Sequence, residues 1–199
     1  MKTNTRLALF TALVAAMPMS GFCLDLLPDG GSISGGKSFF KNHADVTSGR
    51  LALRWDWKEE LFSQKTWKID SYVELSYSQW KSHFSDGDPK TPDTKNKIWQ
   101  SSLSPILRLS PKSSRTIDPF FDFGVGLSYQ SDKDLAQQNS SAINMGGTIQ
   151  FELRLMGGFK FGAQKNYEIA YGWFHYSNAY LHSKNEGLDF QMLSLSMNW

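Results

Sequence analysis

The sequence is poor in several features that mark other classes of protein. Its 199 residues include one cysteine, Cys23, so no pair is available to form a disulfide. No segment after the N-terminal region comes near the roughly 18 uninterrupted apolar residues that a transmembrane helix needs. The net charge is only +2, which gives no broad electrostatic preference for nucleic acid. These absences argue against a disulfide-stapled domain, a helical membrane protein and a nucleic-acid-binding protein.

The residues that are present form an unusual combination of aromatic and polar character. Aromatic residues make up 14% of the chain and charged residues 20%, while the mean hydropathy is −0.40. A soluble protein seldom contains so many aromatic residues, and a helical membrane protein is far more apolar. A barrel that is apolar outside and polar inside accommodates both observations.

The N-terminus has the pattern of a secretory signal peptide. Lys2 and Arg6 form a basic region, and residues 7–17 form an apolar stretch that is too short to span a bilayer as a helix. We expect cleavage after Cys23, so that residues 1–23 are the signal peptide and residues 24–199 the mature domain. The mature chain then has no cysteine, which excludes a thiol nucleophile. A lipoprotein acylated at Cys23 is the weaker alternative, because Phe22 is not a small residue.

Alternation of apolar and polar residues begins near Gly49 and continues to the C-terminus. In the predicted strands the odd-numbered residues are apolar, and the even-numbered ones are mostly polar, charged or small. Residues 117–130 show this pattern with Phe120 as the exception, and residues 145–161 repeat it. About eight strands result, the smallest common barrel size, with a weak first strand near residues 31–40. The polar segments 83–95 and 131–142 are predicted to be loops.

The polar face of these strands indicates which side meets lipid. It carries opposite charges in similar number, and such groups can pair in a narrow lumen, whereas each would be costly against lipid. The last strand places Leu193, Leu195 and Met197 on one face and ends on Trp199, which resembles the terminal strand of bacterial outer-membrane proteins. We therefore predict an all-β fold, an eight-stranded antiparallel transmembrane β-barrel in the bacterial outer membrane.

Three residues with catalytic chemistry fall on the apolar, odd-numbered face of the last two strands. His175 and Ser177 end the strand near 166–178, and Asp189 lies near the start of the next one. The turn between these strands centres near residue 182, so an antiparallel pairing sets His175 opposite Asp189. Opposed side chains have Cβ atoms about 4.5–5.5 Å apart, within reach of an imidazole that bridges Asp189 and Ser177.

These residue types suit acyl transfer from an ester. Ser177 would attack the carbonyl carbon, His175 would carry the proton, and Asp189 would orient the imidazole and stabilise its charged form. The side chain of Asn178 and the backbone N–H groups up to Tyr180 would hold the oxyanion. Glu186 competes with Asp189 for the role of the acid, but its even number places it on the lumen side of a regular strand.

No pattern in the chain indicates a metal or cofactor. Asp86 and Asp88 lie in a polar segment, but the spacing and the closing glutamate of a calcium loop are missing, so a solvated loop is the interpretation. No zinc, phosphate-loop or dinucleotide motif is present. The remaining histidines lie in turns or loops without metal-ligand spacing: His43, His83 and His182. We expect no metal and no cofactor.

The segment 174–190, FHYSNAYLHSKNEGLDF, resembles the C-terminal motif of the lipid A 3-O-deacylases of the PagL type. The Trp-Asp-Trp sequence at 55–57 is similar to that family as well. The resemblance implies an outer-membrane barrel whose exterior His-Ser-acid triad removes the 3-position hydroxyacyl chain from lipid A without a metal. The expected partners are lipid A or lipopolysaccharide and the outer membrane, with no nucleic acid; a homodimer is left open.

The sequence departs from the family pattern at two positions. Asp189 stands where members have glutamate, so its contact with His175 needs a closer approach or a water molecule. Tyr180 stands where the family often has glycine, which affects the acyl groove. Two other functions remain to be separated from deacylation: a non-enzymatic barrel in adhesion or envelope stability, and an acyltransferase barrel that binds lipid in its lumen. The charged even-numbered faces argue against the second.

Overall fold

The computed structural model describes residues 26–39, 45–57, 60–83, 94–112, 116–137 and 141–199. The predicted signal peptide lies outside these residues, as do His43, Asp86 and Asp88. Within the described part of the chain, no helix has the length and apolar character to cross a membrane.

The described residues form strands joined by turns. In chain order the strands are β1 (Gly30–Ser38), β2 (Val46–Asp56), β3 (Phe62–Ser63), β4 (Trp67–Ser82), β5 (Lys97–Pro111), β6 (Asp118–Gln130), β7 (Asp134–Gln137), β8 (Ser141–Asn144), β9 (Ile149–Phe161), β10 (Tyr167–Ser177) and β11 (Leu188–Asn198). All neighbouring strands named here pair antiparallel, as short connections between sequential strands favour.

Eight long strands close into a barrel. The order is β2-β1-β11-β10-β9-β6-β5-β4, and β2 also pairs with β4, which closes the ring; β3 is a two-residue extension beside β4. The first strand pairs with the last, with Gly30 opposite Asn198. Closure leaves none of these eight strands with an unpaired edge. An unpaired strand edge exposed to lipid would be strongly unfavourable. The predicted eight-stranded antiparallel barrel is confirmed.

One predicted loop contains regular structure. Segment 131–142 includes β7 and continues into β8, and the two pair as a separate hairpin. Its few apolar side chains explain the difference: Leu135 and Ala136 of β7 and Ile143 of β8 are buried. The hairpin also bonds to a neighbouring connection, where the N–H of Ala136 donates to the carbonyl of Lys95. Contacts with the rest of the barrel hold this hairpin, so the weak alternation of apolar and polar residues in its own sequence did not reveal it.

The odd-numbered face of the barrel points outward and the even-numbered face points inward, as predicted. In β2, Arg50 is 3% exposed, whereas Leu51 beside it is 59% exposed. Outward apolar side chains run around the wall and include Ile33, Leu53, Leu75, Leu103, Leu127, Ile149, Phe159, Leu193 and Leu195. A continuous apolar band of this size on the exterior is typical of a surface that contacts lipid.

The middle of the lumen is filled by paired charges. Arg50 and Arg154 both donate to Oε1 of Glu74, at 2.7 and 2.6 Å. Arg108 contacts Asp122 at 2.7 Å and Glu168 at 2.6 Å. A cavity of about 30 Å³ remains among these residues, enough for roughly two water molecules. In the described part of the chain, paired charges therefore occupy the middle of the lumen.

The end of the lumen beside the β10–β11 turn is filled by apolar side chains. Trp80 packs against Tyr176 and Phe190 with ring centroids 4.7 and 5.1 Å away. Leu135 and Ile143 of the β7–β8 hairpin belong to the same cluster. The ends of β10 and β11 thus rest on a packed core, which limits their movement.

Candidate active site

The β10–β11 hairpin places the predicted residues on its outward face. His175 is the cross-strand partner of Asp189, which is the register that the turn position predicts. Ser177 lies two residues further along the same face, at the end of β10, and pairs with Phe151 of β9 on its other side. All three side chains are partly exposed. The structure therefore brings together the histidine, the serine and the acid.

His175 and Asp189 are in direct contact. Nδ1 of His175 lies 2.9 Å from Oδ1 of Asp189, and the side chains are 30% and 21% exposed. A carboxylate only accepts hydrogen bonds, so Nδ1 carries a proton, and in the neutral ring Nε2 then presents its lone pair. The shorter acid reaches the imidazole without an intervening water, because the two residues are directly opposed across the strands.

The imidazole ring of His175 extends along the hairpin toward the level of Ser177. A Cβ atom built on Gly187 would lie 2.8 Å from Cε1 and 3.5 Å from Nε2 of His175. Continuing the strand register by two residues sets Gly187 across from Ser177. The ring thus fills the space that the missing side chain of Gly187 leaves, and its basic nitrogen lies on the serine side. Among the described residues the Ser177 hydroxyl has no hydrogen-bond partner.

Trp173 is a neighbour of the site that sequence reasoning missed. Its indole Nε1 donates to Oδ1 of Asp189 at 2.8 Å. Its ring stacks on the His175 imidazole with centroids 5.6 Å apart and planes inclined by 28°. The available signal was its place two residues before His175 on the same face, which puts it diagonally across from Asp189.

Asn178 holds the turn in place with its donors. Its side chain is fully buried, and Nδ2 donates to the carbonyls of Met145 at 2.8 Å and Lys184 at 2.6 Å. Its backbone N–H donates to Oδ1 of Asn185 at 2.9 Å. An oxyanion role for Asn178 stays a prediction, and it requires breaking bonds that this structure contains.

The backbone at Tyr180 remains the accessible candidate for the oxyanion site. Ala179 and Tyr180 have φ values of 50° and 63°, and the N–H of Leu181 donates to the Asn178 carbonyl at 3.0 Å. This is the pattern of a type I′ turn, whose central residues favour glycine or asparagine. Within the described residues, no acceptor is bonded to the N–H of Tyr180. The Tyr180 side chain is 72% exposed.

The competing acid has a different place. Oε2 of Glu186 accepts from the N–H of Asn144 at 2.8 Å, and the N–H of Glu186 donates to the Asn144 carbonyl at 3.1 Å. Glu186 therefore ties the turn to β8. His182 lies against Gly147, and His83 bonds through its backbone to Asp45. Within the described ranges, no group of three or more possible metal ligands is found.

The comparison with protein families decides the identity of the fold and its enzyme class. The model of the family described as Lipid A 3-O-deacylase (PagL) matches residues 47–198, a span that includes the whole β10–β11 hairpin. The chain belongs to the lipid A 3-O-deacylase family. It is an ester hydrolase of the outer membrane, and the expectations for enzyme class and location are confirmed.

Solved structures agree on the fold. The crystal structure of the outer membrane enzyme PagL is 24% identical in sequence, with a TM-score of 0.69, and the match covers 85% of this chain and 99% of that one. The crystal structure of Neisserial surface protein A (NspA) is 9% identical, with a TM-score of 0.50, and covers 85% and 95%. No curated protein matches the chain in the corresponding sequence comparison.

Because the family is one of outer-membrane barrels, the outward face of this barrel faces lipid. The apolar band then contacts acyl chains, and the His175–Asp189 pair lies on the same wall. Trp55 and Asp56 of the Trp-Asp-Trp sequence end β2, where Asp56 pairs with Tyr72. That end of the barrel is opposite the β10–β11 turn, so this second similarity to the family does not belong to the candidate site.

Proposed function

We propose that the chain hydrolyses the 3-position hydroxyacyl ester of lipid A in the outer leaflet, using Ser177, His175 and Asp189. The observation that carries this proposal is the direct hydrogen bond between His175 and Asp189 on the lipid-facing wall. A histidine and a carboxylate are costly against lipid, and structure alone does not require them there. Because this bond uses Nδ1, Nε2 of His175 is available to act as a base toward Ser177.

The reaction proceeds in two acyl-transfer steps. Oγ of Ser177 attacks the ester carbonyl carbon while Nε2 of His175 takes the hydroxyl proton. The tetrahedral intermediate collapses, the C–O bond to the sugar breaks, and His175 returns the proton to the leaving sugar oxygen. Water then attacks the acyl-Ser177 ester, again losing a proton to His175, and the free hydroxy fatty acid departs as Ser177 regains its hydrogen.

Charge stabilisation has two sources in this site. The negative charge on the carbonyl oxygen is met by the backbone N–H of Tyr180 in the turn beyond β10. The positive charge on the imidazolium is met by Asp189 at 2.9 Å. Both interactions operate beside acyl chains, where the effective dielectric constant is lower than in water and electrostatic terms are stronger.

The position of the site along the barrel suits a substrate in the outer leaflet. In outer-membrane barrels the longer connections are extracellular and the shorter ones periplasmic. The ends of β4 and β6, which lead into long connections, are at the same end of the barrel as the β10–β11 turn, whereas the ends of β5 and β9, which lead into short ones, are at the other. Ser177 is therefore near the headgroup region of the leaflet that holds lipid A.

The filled lumen favours this route over transfer of an acyl chain inside the barrel. Packed aromatic and charged side chains leave only about 30 Å³ among the buried ion pairs. That space holds roughly two water molecules and is too small for an acyl chain. The substrate must therefore approach along the outer wall.

Mass analysis of lipid A tests the proposal. Cells that make the wild-type chain should lose one hydroxyacyl mass from lipid A, whereas cells that make Ser177→Ala should retain it. Ser101→Ala is the matched control, because Ser101 is also partly exposed on an odd-numbered position, in β5. The control should deacylate as the wild type does. A Ser177→Ala chain that still removes the acyl group would contradict the assignment of the nucleophile.

A further inference from the structure

The indole of Trp173 contacts two members of the proposed triad at once. It donates a hydrogen bond to Asp189 and stacks on the ring of His175. An outward tryptophan on a membrane barrel ordinarily turns its N–H toward the water and headgroups at the interface. Here the N–H is directed at a carboxylate instead, so an interfacial girdle does not account for this residue.

Two donors share one oxygen of Asp189. His175 bonds to Oδ1 at 2.9 Å, and Trp173 bonds to the same atom at 2.8 Å. Trp173 is two residues nearer the membrane core than His175, about 6.5–7 Å along the strand. The indole side chain therefore starts on the membrane-core side of Asp189, whereas the imidazole starts directly opposite it.

We infer that Trp173 is a positioning residue that fixes the Asp189 carboxylate against Nδ1 of His175 and keeps the imidazole ring in one orientation. This inference rests on the proposed function. A single aspartate oxygen on a lipid-facing wall has few other donors, and a hydrogen bond to an ionised group is stronger than one between neutral groups. The indole bond keeps Oδ1 at the height of Nδ1, and the stacked ring restricts rotation of the imidazole.

The Trp173→Phe variant separates the N–H from the ring. Phenylalanine retains an aromatic surface for His175 but donates nothing to Asp189. We expect kcat to fall about 10-fold or more, as loss of one hydrogen bond to a charged group predicts, with little change in KM. Trp99→Phe is the matched control, because Trp99 is an outward aromatic of β5 that stacks with Tyr77 and lies away from the hairpin. Its kcat should stay at the wild-type value.

Lengthening the acid tests whether the indole acts through Asp189. Glutamate carries its carboxylate one methylene further from the backbone, so its position no longer depends on the indole N–H. In the Asp189→Glu background, Trp173→Phe should therefore change kcat by less than about threefold, a coupling expected of groups in contact. Equal losses in both backgrounds, or no loss in the wild-type background, would overturn the inference.

The hydrogen bond has a readout that does not require activity. With ¹⁵N-labelled tryptophan in detergent micelles, the indole N–H signal of Trp173 is the one that disappears in Trp173→Phe. Asp189→Ala should shift that signal and speed its exchange with solvent, while the Trp99 signal stays in place. An unmoved Trp173 signal would overturn the inference. A wild-type chain that forms this bond but removes no acyl group would contradict the proposed function instead.

Discussion

At the scale of single residues, the two departures from the family pattern have different structural consequences. Asp189 reaches His175 directly at 2.9 Å, since the residues are opposed across the hairpin. The shorter acid therefore still contacts the histidine of the proposed triad, and the indole of Trp173 donates a second hydrogen bond to Asp189. Tyr180 departs in another way, because its backbone has a φ of 63° where an L-residue with a side chain is strained.

Replacing Tyr180 with glycine should stabilise the protein and preserve activity. Glycine adopts positive φ without the steric cost, so we expect the free energy of unfolding to rise by about 1 kcal/mol. The backbone N–H that we assign to the oxyanion site is retained, so kcat should stay within about threefold of the wild type. Denaturant unfolding of the folded barrel measures the first quantity and lipid A turnover the second.

Leu181→Gly is the comparison for this change. Leu181 is also exposed, and it follows Tyr180 without a positive φ. The same replacement there should lower the free energy of unfolding, since glycine gains more entropy in the unfolded chain. If both variants shift stability in the same direction, the strain at Tyr180 is not the cause.

At the scale of elements, the β10–β11 turn is braced by the loop that follows the β7–β8 hairpin. Asn178 bonds to Met145, Glu186 bonds to Asn144, and Gly146 leaves no room for a side chain beside Lys184. Alternation along the chain predicted the outward faces and, with the turn position, the pairing of His175 with Asp189. It did not predict the brace, because Met145, which accepts from Asn178, and Asn144, which donates to Glu186, lie more than thirty residues away along the chain.

The β7–β8 hairpin and the hydrogen bond from Trp173 to Asp189 were not predicted from the sequence, for the same physical reason. Strands β7 and β8 are short and polar, and they are held by burial of Leu135 and Ile143 against the barrel lining. Trp173 fits the apolar face of β10, so nothing in the alternation marks its N–H as a donor to Asp189. Contacts between elements decide both features, and periodicity within one element carries no information about them.

Asn178→Ala distinguishes a brace from an oxyanion donor. The variant loses two side-chain hydrogen bonds, one buried and one partly buried, to the carbonyls of Met145 and Lys184. We expect the free energy of unfolding to fall by about 1–3 kcal/mol and kcat to fall as well. Denaturant unfolding and lipid A turnover are the two measurements. A drop in kcat with unchanged stability would instead assign Asn178 to the oxyanion site.

At the scale of the whole molecule, the packed residues of the interior and the proposed catalytic residues of the exterior lie on opposite faces of the same strands. Buried ion pairs and an apolar cluster fill the interior, while the proposed triad lies outside among acyl chains. The interior charges are nearly fully buried and depend on their partners, since an unpaired charge in such a place is strongly destabilising.

Glu74→Gln should therefore destabilise the barrel. Glu74 is the shared acceptor of Arg50 and Arg154, and a neutral side chain leaves both guanidinium groups without that charge. We expect the free energy of unfolding to fall by about 3 kcal/mol. Glu60→Gln is the control, because the contact of Glu60 with Lys68 is exposed and 3.6 Å long, and it should leave stability nearly unchanged. Equal effects of the two changes would contradict the role of the interior pairs.

Covalent labelling in outer-membrane vesicles tests most directly whether the lipid-facing wall of the hairpin holds an activated serine. A fluorophosphonate with a long alkyl chain reacts with a serine whose proton is taken by a neighbouring base, and tandem mass spectrometry identifies the labelled residue. We predict an adduct on Ser177 that disappears in Ser177→Ala and falls sharply in His175→Ala. An adduct on another serine, or deacylation that continues at full rate after Ser177 is blocked, would contradict the account.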